Sequence, residues 1–146
     1  MVVGTLQTFA PPAVHDGRVF VLNSGVLQSF DSFGQTMAWS YGDGTLVTPP
    51  IVVSGRIFVG SSDGTLYGID ESTGSAVWSD EVGTPFGLID DEGGGNAKPA
   101  ALAAAGGLLV APAGTSLVVY GVSGDGGVSD SGATDAGSAV DAADAN

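Results

Sequence analysis

The side chains able to do chemistry are few and mostly of one sign. The 146-residue chain holds 16 Asp and Glu against 3 Lys and Arg and 1 His, a net charge of −13, and has no Cys. Without Cys there is no thiolate nucleophile, no disulfide and no Cys-based metal site. The densest carboxylate run is Asp90-Asp91-Glu92, within GLIDDEGGGNA (87–97). Three oxygen-bearing side chains in a loop are ligands of the kind calcium takes. The Asp-x-Asp-x-Asp-Gly spacing of a dedicated calcium loop is missing, so the run reads as a solvated loop and no metal is assigned to it. His15 stands beside Asp16 at a turn and reads as a surface histidine, because no Ser–His–Asp set accompanies it. GDGT (42–45) and SDGT (62–65) precede strand-like runs rather than helices, so neither cradles a phosphate. The acidic balance excludes the basic footprint that nucleic acids and anionic lipid surfaces require.

The elements that must carry these residues repeat. PPAVHDGRVFVLNSGVLQSFDSFGQTMAWS (11–40) aligns with PPIVVSGRIFVGSSDGTLYGIDESTGSAVWS (49–79). Gly17, Arg18 and Phe20 match Gly55, Arg56 and Phe58 at a spacing of 38; Leu27, Asp31 and Trp39 match Leu66, Asp70 and Trp78 at 39. A weaker copy follows at an offset of 51, which puts Gly106 on Gly55, Val110 on Val59 and Leu117 on Leu66. The repeats span about 11–47, 48–86 and 98–123, with an insertion at 87–97. The shared positions of Arg18 and Arg56 imply a common structural role at strand starts.

Each unit of about 39 residues holds short apolar runs rich in β-branched and aromatic residues, separated by Gly turns. Runs such as RVFVL and RIFV are apolar at successive positions, which predicts sheets covered on both faces. Gly is 25 of 146 residues, about 17% against a usual share of about 7%, and no window is free enough of Gly or Pro for a helix. The mean hydropathy is +0.31, yet the longest charge-free stretch, 99–124, is broken by Pro112 and several glycines, so no membrane-inserted segment is expected. The expected fold is all-β: β-propeller blades of four antiparallel strands, two full and one partial. Val2 to Phe9 is expected as an outer strand beside the first full blade.

GIDESTGSAVW (68–78) resembles the tryptophan-docking repeat of pyrroloquinoline-quinone-like (PQQ-like) propellers, Ala-x-Asp-x-x-Thr-Gly-x-x-x-Trp. Asp70, Thr73, Gly74 and Trp78 match it, with Gly68 in place of Ala. The first copy keeps Asp31, Gly34 and Trp39 but has Phe33 where Thr is expected, and the third keeps only its central hairpin. The resemblance implies that each Trp stacks on the backbone of an adjacent blade while the Asp and Thr brace the turn. On this reading Trp78, in the better copy, staples blades more strongly than Trp39.

From residue 124 the sequence GDGGVSDSGATDAGSAVDAADAN has no basic or aromatic residue. It reads as a disordered acidic linker (124–146) following a partial propeller over 1–123. The N-terminal run lacks the basic residue of a secretory signal. The resemblance implies a family that includes quinoprotein dehydrogenases, outer-membrane assembly lipoproteins and sensor ectodomains. The lack of Cys, the few basic groups and the absence of a spacing that suggests a converging calcium site lead to the expectation of a non-enzymatic module for protein binding or scaffolding at a bacterial cell envelope, periplasmic or on the surface. The chain would be part of a larger protein, its partner another protein or the missing blades. No cofactor is assigned. The alternative is a fragment of a quinoprotein dehydrogenase, which would require pyrroloquinoline quinone with calcium.

Overall fold

In the computed structural model of the chain the described residues are 10–31, 36–89, 98–99, 101–114, 116–122 and 128–130. They contain strands and turns, and no helix long and apolar enough to cross a membrane. Three four-stranded antiparallel meanders follow one another. The first blade holds β1 (Ala13–His15), β2 (Arg18–Asn23), β3 (Val26–Asp31) and β4 (Met37–Tyr41). The second holds β5 (Ile51–Val53), β6 (Arg56–Gly60), β7 (Thr65–Asp70) and β8 (Ala76–Glu81). A two-stranded ribbon pairs β9 (Leu88–Ile89), near the start of the insertion, with β10 (Lys98–Pro99), just after its end. The third blade holds β11 (Ala103–Ala105), β12 (Leu108–Ala113), β13 (Ser116–Val122) and β14 (Val128–Asp130). β1 lies against β5 and β5 against β11, so the first strands of all three blades line the same side of the arc.

The turns explain the meanders. Asp16-Gly17, Ser24-Gly25, Ser54-Gly55 and Gly106-Gly107 each join two strands with both residues at positive φ. That is the primed turn whose twist matches a β-hairpin, and it calls for Gly at its second place. The faces explain the unbroken apolar runs. In β6, Ile57 and Val59 join Phe20, Leu22, Leu27 and Ile69 in one core between the first two blades. Phe58 points the other way and joins Leu66, Leu109, Ala111 and Tyr120 in a second core between the second and third blades. A central blade buried on both faces has no polar side to alternate with.

Two features differ from the sequence alignment. In β11 and β12 the third copy is offset by 52, not 51: Gly107, not Gly106, takes the place of Gly55, and Leu109 and Ala111 take those of Ile57 and Val59. Beyond the hairpin the offset returns to 51, because four residues separate the paired Pro112 and Leu117 where five separate Gly60 and Leu66. The third blade also has a fourth strand. β14 pairs with β13 through Val128↔Val122 and Asp130↔Tyr120, inside the stretch the sequence assigns to the linker. The other tail residues, residues 2–9, Gly34 and the Asp90-Asp91-Glu92 run lie outside the described residues.

Candidate functional site: the seams between blades

Both outer strands carry a β-bulge at the same place. Ser29 pairs with Trp39 while Phe30 pairs with Met37, and Gly68 pairs with Trp78 while Ile69 pairs with Ala76. The extra residue before each Trp re-aims the indole, as bulges do. Each ring leans on the Phe of its own blade, Trp39 on Phe20 at 5.8 Å and Trp78 on Phe58 at 6.0 Å between centroids.

At the first seam the Trp39 indole Nε1–H donates to the backbone oxygen of Glu71, 3.0 Å away in the next blade. Its ring covers Gly74, where a Cβ would meet the indole at 2.5 Å and where φ is +73°. Position 74 therefore needs Gly on two counts, backbone and space. The receiving turn is held by Asp70. Its Oδ1 accepts from the Ser72 N–H (3.0 Å) and hydroxyl (2.6 Å), and from the Thr73 N–H (2.9 Å) and hydroxyl (3.0 Å). These donors, the Ser72 hydroxyl foremost, stabilise the carboxylate and lower its pKa to about 2. The backbone closes the turn with Asp70 N–H donating to Ser75 O at 2.9 Å; Asp31 does the same to Thr36 O at 3.2 Å. His15 reaches the same place. Its Nδ1 is 2.9 Å from Oε2 of Glu71, a pairing across the seam that sequence spacing alone does not reveal. Arg18 and Arg56 sit opposite Asp31 and Asp70 in register, the shared position their repeat places imply.

The second seam uses other groups. Trp78 meets Tyr120 edge to face at 5.3 Å and 82°. Tyr120 is fully buried and its hydroxyl donates to Asp80 Oδ2 at 2.8 Å. In the third blade Gly121 stands where Asp70 does in the second, and there the strand runs on to Val122 and pairs with β14; residues 123–127 lie outside the described residues.

At the opposite end of the first seam lies a cleft of about 290 Å³, lined by Tyr41, Asp43, Thr45, Leu46, Asp63 and Tyr67. The two phenols meet edge to face at 5.7 Å. Burial, then the neighbouring Tyr67 and Asp43, raise the Tyr41 pKa and keep its O–H protonated as a donor. Asp43 Oδ1 accepts from the Thr45 hydroxyl at 2.8 Å, and Asp63 Oδ1 from the Ser61 hydroxyl and the Thr65 N–H. Led by the Ser61 bond, these lower the Asp63 pKa. The cleft thus offers phenol donors, carboxylate acceptors and two aromatic rings, a set suited to a cationic or hydrogen-bonding side chain of a partner. The sequence draws attention to the GDGT (42–45) and SDGT (62–65) turns but not to the cleft they form with Tyr41 and Tyr67, which come from different repeats.

The comparisons with known proteins fall in line with this geometry. A family model described as outer membrane protein assembly factor BamB, of the PQQ-like repeat type, matches residues 5–143. The chain belongs to this family. The crystal structure of BamB from Moraxella catarrhalis is similar with a TM-score of 0.60 and 20% identity, covering 83% of this chain and 39% of that one. The computationally designed Ika4 protein gives 0.58 and 17%, covering 82% and 69%. The quinohemoprotein alcohol dehydrogenase from Comamonas testosteroni gives 0.56 and 21%, covering 79% and 19%. This BamB-family chain thus spans well under half the length of that BamB and of that dehydrogenase. No curated protein matches the sequence. Among the described residues, which leave out Asp90, Asp91 and Glu92, no three His, Cys, Asp or Glu side chains are grouped so as to hold a metal ion.

Proposed function

We propose that this BamB-family propeller module is non-enzymatic and binds or scaffolds proteins at a bacterial cell envelope. The reading rests first on how the polar side chains are used. Among the described residues Asp70 and Asp63 brace turns, Asp80 holds Tyr120 and Glu71 receives His15, while the Tyr41–Tyr67 cleft presents two phenols beside the carboxylates of Asp43 and Asp63. Nothing in that set is a nucleophile paired with a base. The family description, an outer-membrane assembly factor, supports the envelope location. The residues Asp31, Gly34, Trp39, Asp70, Thr73, Gly74 and Trp78 act on this reading as the framework that docks one blade on the next, and 124–146, apart from β14, serves as an acidic linker.

A photo-crosslinking residue at Asp63 tests the binding role in the host's envelope fraction. The expected result is one discrete protein adduct, competed by excess unlabelled chain and lost with Tyr67→Ala. Calorimetric titration with pyrroloquinoline quinone plus calcium tests the alternative. Micromolar binding with dye reduction on an added alcohol would replace this reading with the quinoprotein dehydrogenase.

A further inference from the structure

The internal repeat separates the residues that blades need in order to stack from those they do not, and the polar groups of the Tyr41–Tyr67 cleft fall in the second class. Tyr41 pairs with Leu27; at the same place in the second blade Asp80 pairs with Leu66. Tyr67 pairs with Val59, where the first blade has Gln28 on Val21 and the third Val118 on Ala111. Asp63 lies in the β6–β7 hairpin, and the matching hairpins, Ser24-Gly25 and Gly114-Thr115, hold no carboxylate. Asp43 lies in the loop leaving β4, whereas Val82-Gly83-Thr84, leaving β8, has no charge. The second seam closes without this set, using Asp80 and Tyr120 instead.

Each cleft carboxylate spends one oxygen on its own turn. Asp43 Oδ1 accepts from the Thr45 N–H and hydroxyl, and Asp63 Oδ1 from the Ser61 hydroxyl and the Thr65 N–H. All of these bonds fall on Oδ1, so among the described residues both exposed carboxylates keep Oδ2 for another donor. The two phenol rings beside them are half-buried. Among the described residues lining the cleft there is no Lys, Arg or His. The chain's 3 basic residues stand elsewhere. Arg18 and Arg56 are in register with Asp31 and Asp70 at the far ends of their hairpins, and Lys98 lies in β10. A cation for this cleft therefore comes from another molecule. A guanidinium suits every group present: its plane lies against an aromatic ring while its fork of N–H donors reaches carboxylate oxygens. An ammonium, a compact point charge, matches the carboxylates but not the rings and fork geometry together. The cleft holds about 290 Å³, just under the range of about 300–1,000 Å³ for small-molecule pockets, and so suits one side chain rather than a whole ligand. We infer that the cleft captures an arginine side chain presented by a partner protein, seated against Tyr41 and Tyr67 and bonded to Asp43 and Asp63. Arginine capture rests on the protein-binding reading and names the chemistry of the partner. The net charge of −13 draws a basic segment toward the site, and added salt weakens the capture.

NMR titration of the full chain with the capped peptide Gly-Ser-Arg-Ser-Gly tests this, beside the same peptide carrying Lys or the neutral isostere citrulline. Saturable shifts are expected at Tyr41, Asp43, Asp63 and Tyr67, with weaker binding of the Lys peptide and none of the citrulline peptide. The dissociation constant should rise about threefold in Asp43→Asn, the scale of an exposed charge pair. That variant keeps an acceptor for Thr45, so its melt should match the parent's. In Tyr67→Leu, which retains apolar bulk, the constant should rise about fivefold through loss of the ring's contact with the cation. Citrulline binding as tight as arginine, or an unaltered constant in both variants, would overturn the assignment. A discrete adduct at Asp63 in the envelope fraction without binding of the arginine peptide would remove arginine capture and leave protein binding. Binding of the arginine peptide with no such adduct would uphold the capture site and remove the protein partner.

Discussion

The two seams solve one packing problem with different chemistry. At the first, an indole N–H from the first blade bonds a carbonyl of the second, over a turn braced by Asp70 and narrowed by Gly74. At the second, a buried Tyr from the third blade reaches back, meets Trp78 edge to face and bonds Asp80. The difference follows from where the motif sits. A docking Trp and the turn that receives it belong to consecutive repeats. Trp39, in the poorer copy, is received by the well-formed turn of the second. Trp78, in the better copy, faces a third copy that has lost the Asp and supplies Tyr120 where the second has Ile69.

The largest effect is expected at the second seam. Tyr120→Ala removes a fully buried ring and leaves Asp80 without its donor, and should cost about 5 kcal/mol, the upper end for large aromatic truncations. Such a loss is a large share of a domain's stability. Tyr120→Phe should cost about 1 kcal/mol, the worth of the hydrogen bond. Urea titration followed by Trp fluorescence measures both; equal costs would show that the hydroxyl, not the ring, holds the seam.

Next come the two tryptophans. Trp39→Ala should cost about 4 kcal/mol and Trp78→Ala about 3, within the range for large aromatic truncations. Trp39 ranks higher because its loss also strips the Glu71 carbonyl of a donor. The motif read within each copy ranks them the other way. Parallel urea titrations decide, and a Trp78→Ala cost exceeding that of Trp39→Ala by 1 kcal/mol or more would restore the within-copy order.

A pair of glycines sharpens the first seam further. Gly74 and Gly55 have nearly the same φ, +73° and +74°, but a Cβ at Gly74 would strike the Trp39 ring while one at Gly55 would meet nothing within 4 Å. Gly55→Ala should cost about 1 kcal/mol, the left-handed backbone penalty alone. Gly74→Ala should cost about 2 kcal/mol or more, since a side chain is also forced into a packed site. Thermal melts of both, and of each combined with Trp39→Ala, separate the terms. If the Trp39→Ala background does not shrink the Gly74 cost to that of Gly55, the ring does not rest on that turn.

Much of this was legible in the sequence. The Gly turns and the doubly covered apolar runs identify four-stranded stacked blades before any coordinates, and they do so because turn chemistry and burial are local. The one-residue offset in β12 was not legible. Ala103-Ala104-Ala105 and Gly106-Gly107 slide against one another in an alignment, and what pins them is the burial of Leu109 and Ala111. β14 was missed because Val-Ser-Asp among Gly, Ser and Asp has too little apolar content to announce a strand; it forms by pairing with β13. The His15–Glu71 contact and the Tyr41–Tyr67 cleft join residues of different repeats, which no spacing rule connects.

The smallest effect concerns acid. The Asp70 pKa is lowered to about 2 from an ordinary value of 3.8, chiefly by the Ser72 hydroxyl and the Thr73 N–H. A carboxylate with a depressed folded-state pKa adds stability that is fully present above its unfolded pKa and is lost as pH falls through the folded one. The window is therefore pH 4 down to about 2, and the effect is modest because the carboxylate is solvent-screened. Asp70→Asn keeps an acceptor oxygen at the same place but cannot titrate. Its melting temperature should lie below that of the parent at pH 5, and the gap should narrow as pH falls from 4 to 2. Because the turn receives Trp39, the same narrowing should vanish in the Trp39→Ala background if docking is what makes the braced turn matter to stability. A gap that stays constant down to pH 2 would show that the Asp70 charge takes no part in holding the turn, and that its oxygen serves as a neutral acceptor alone.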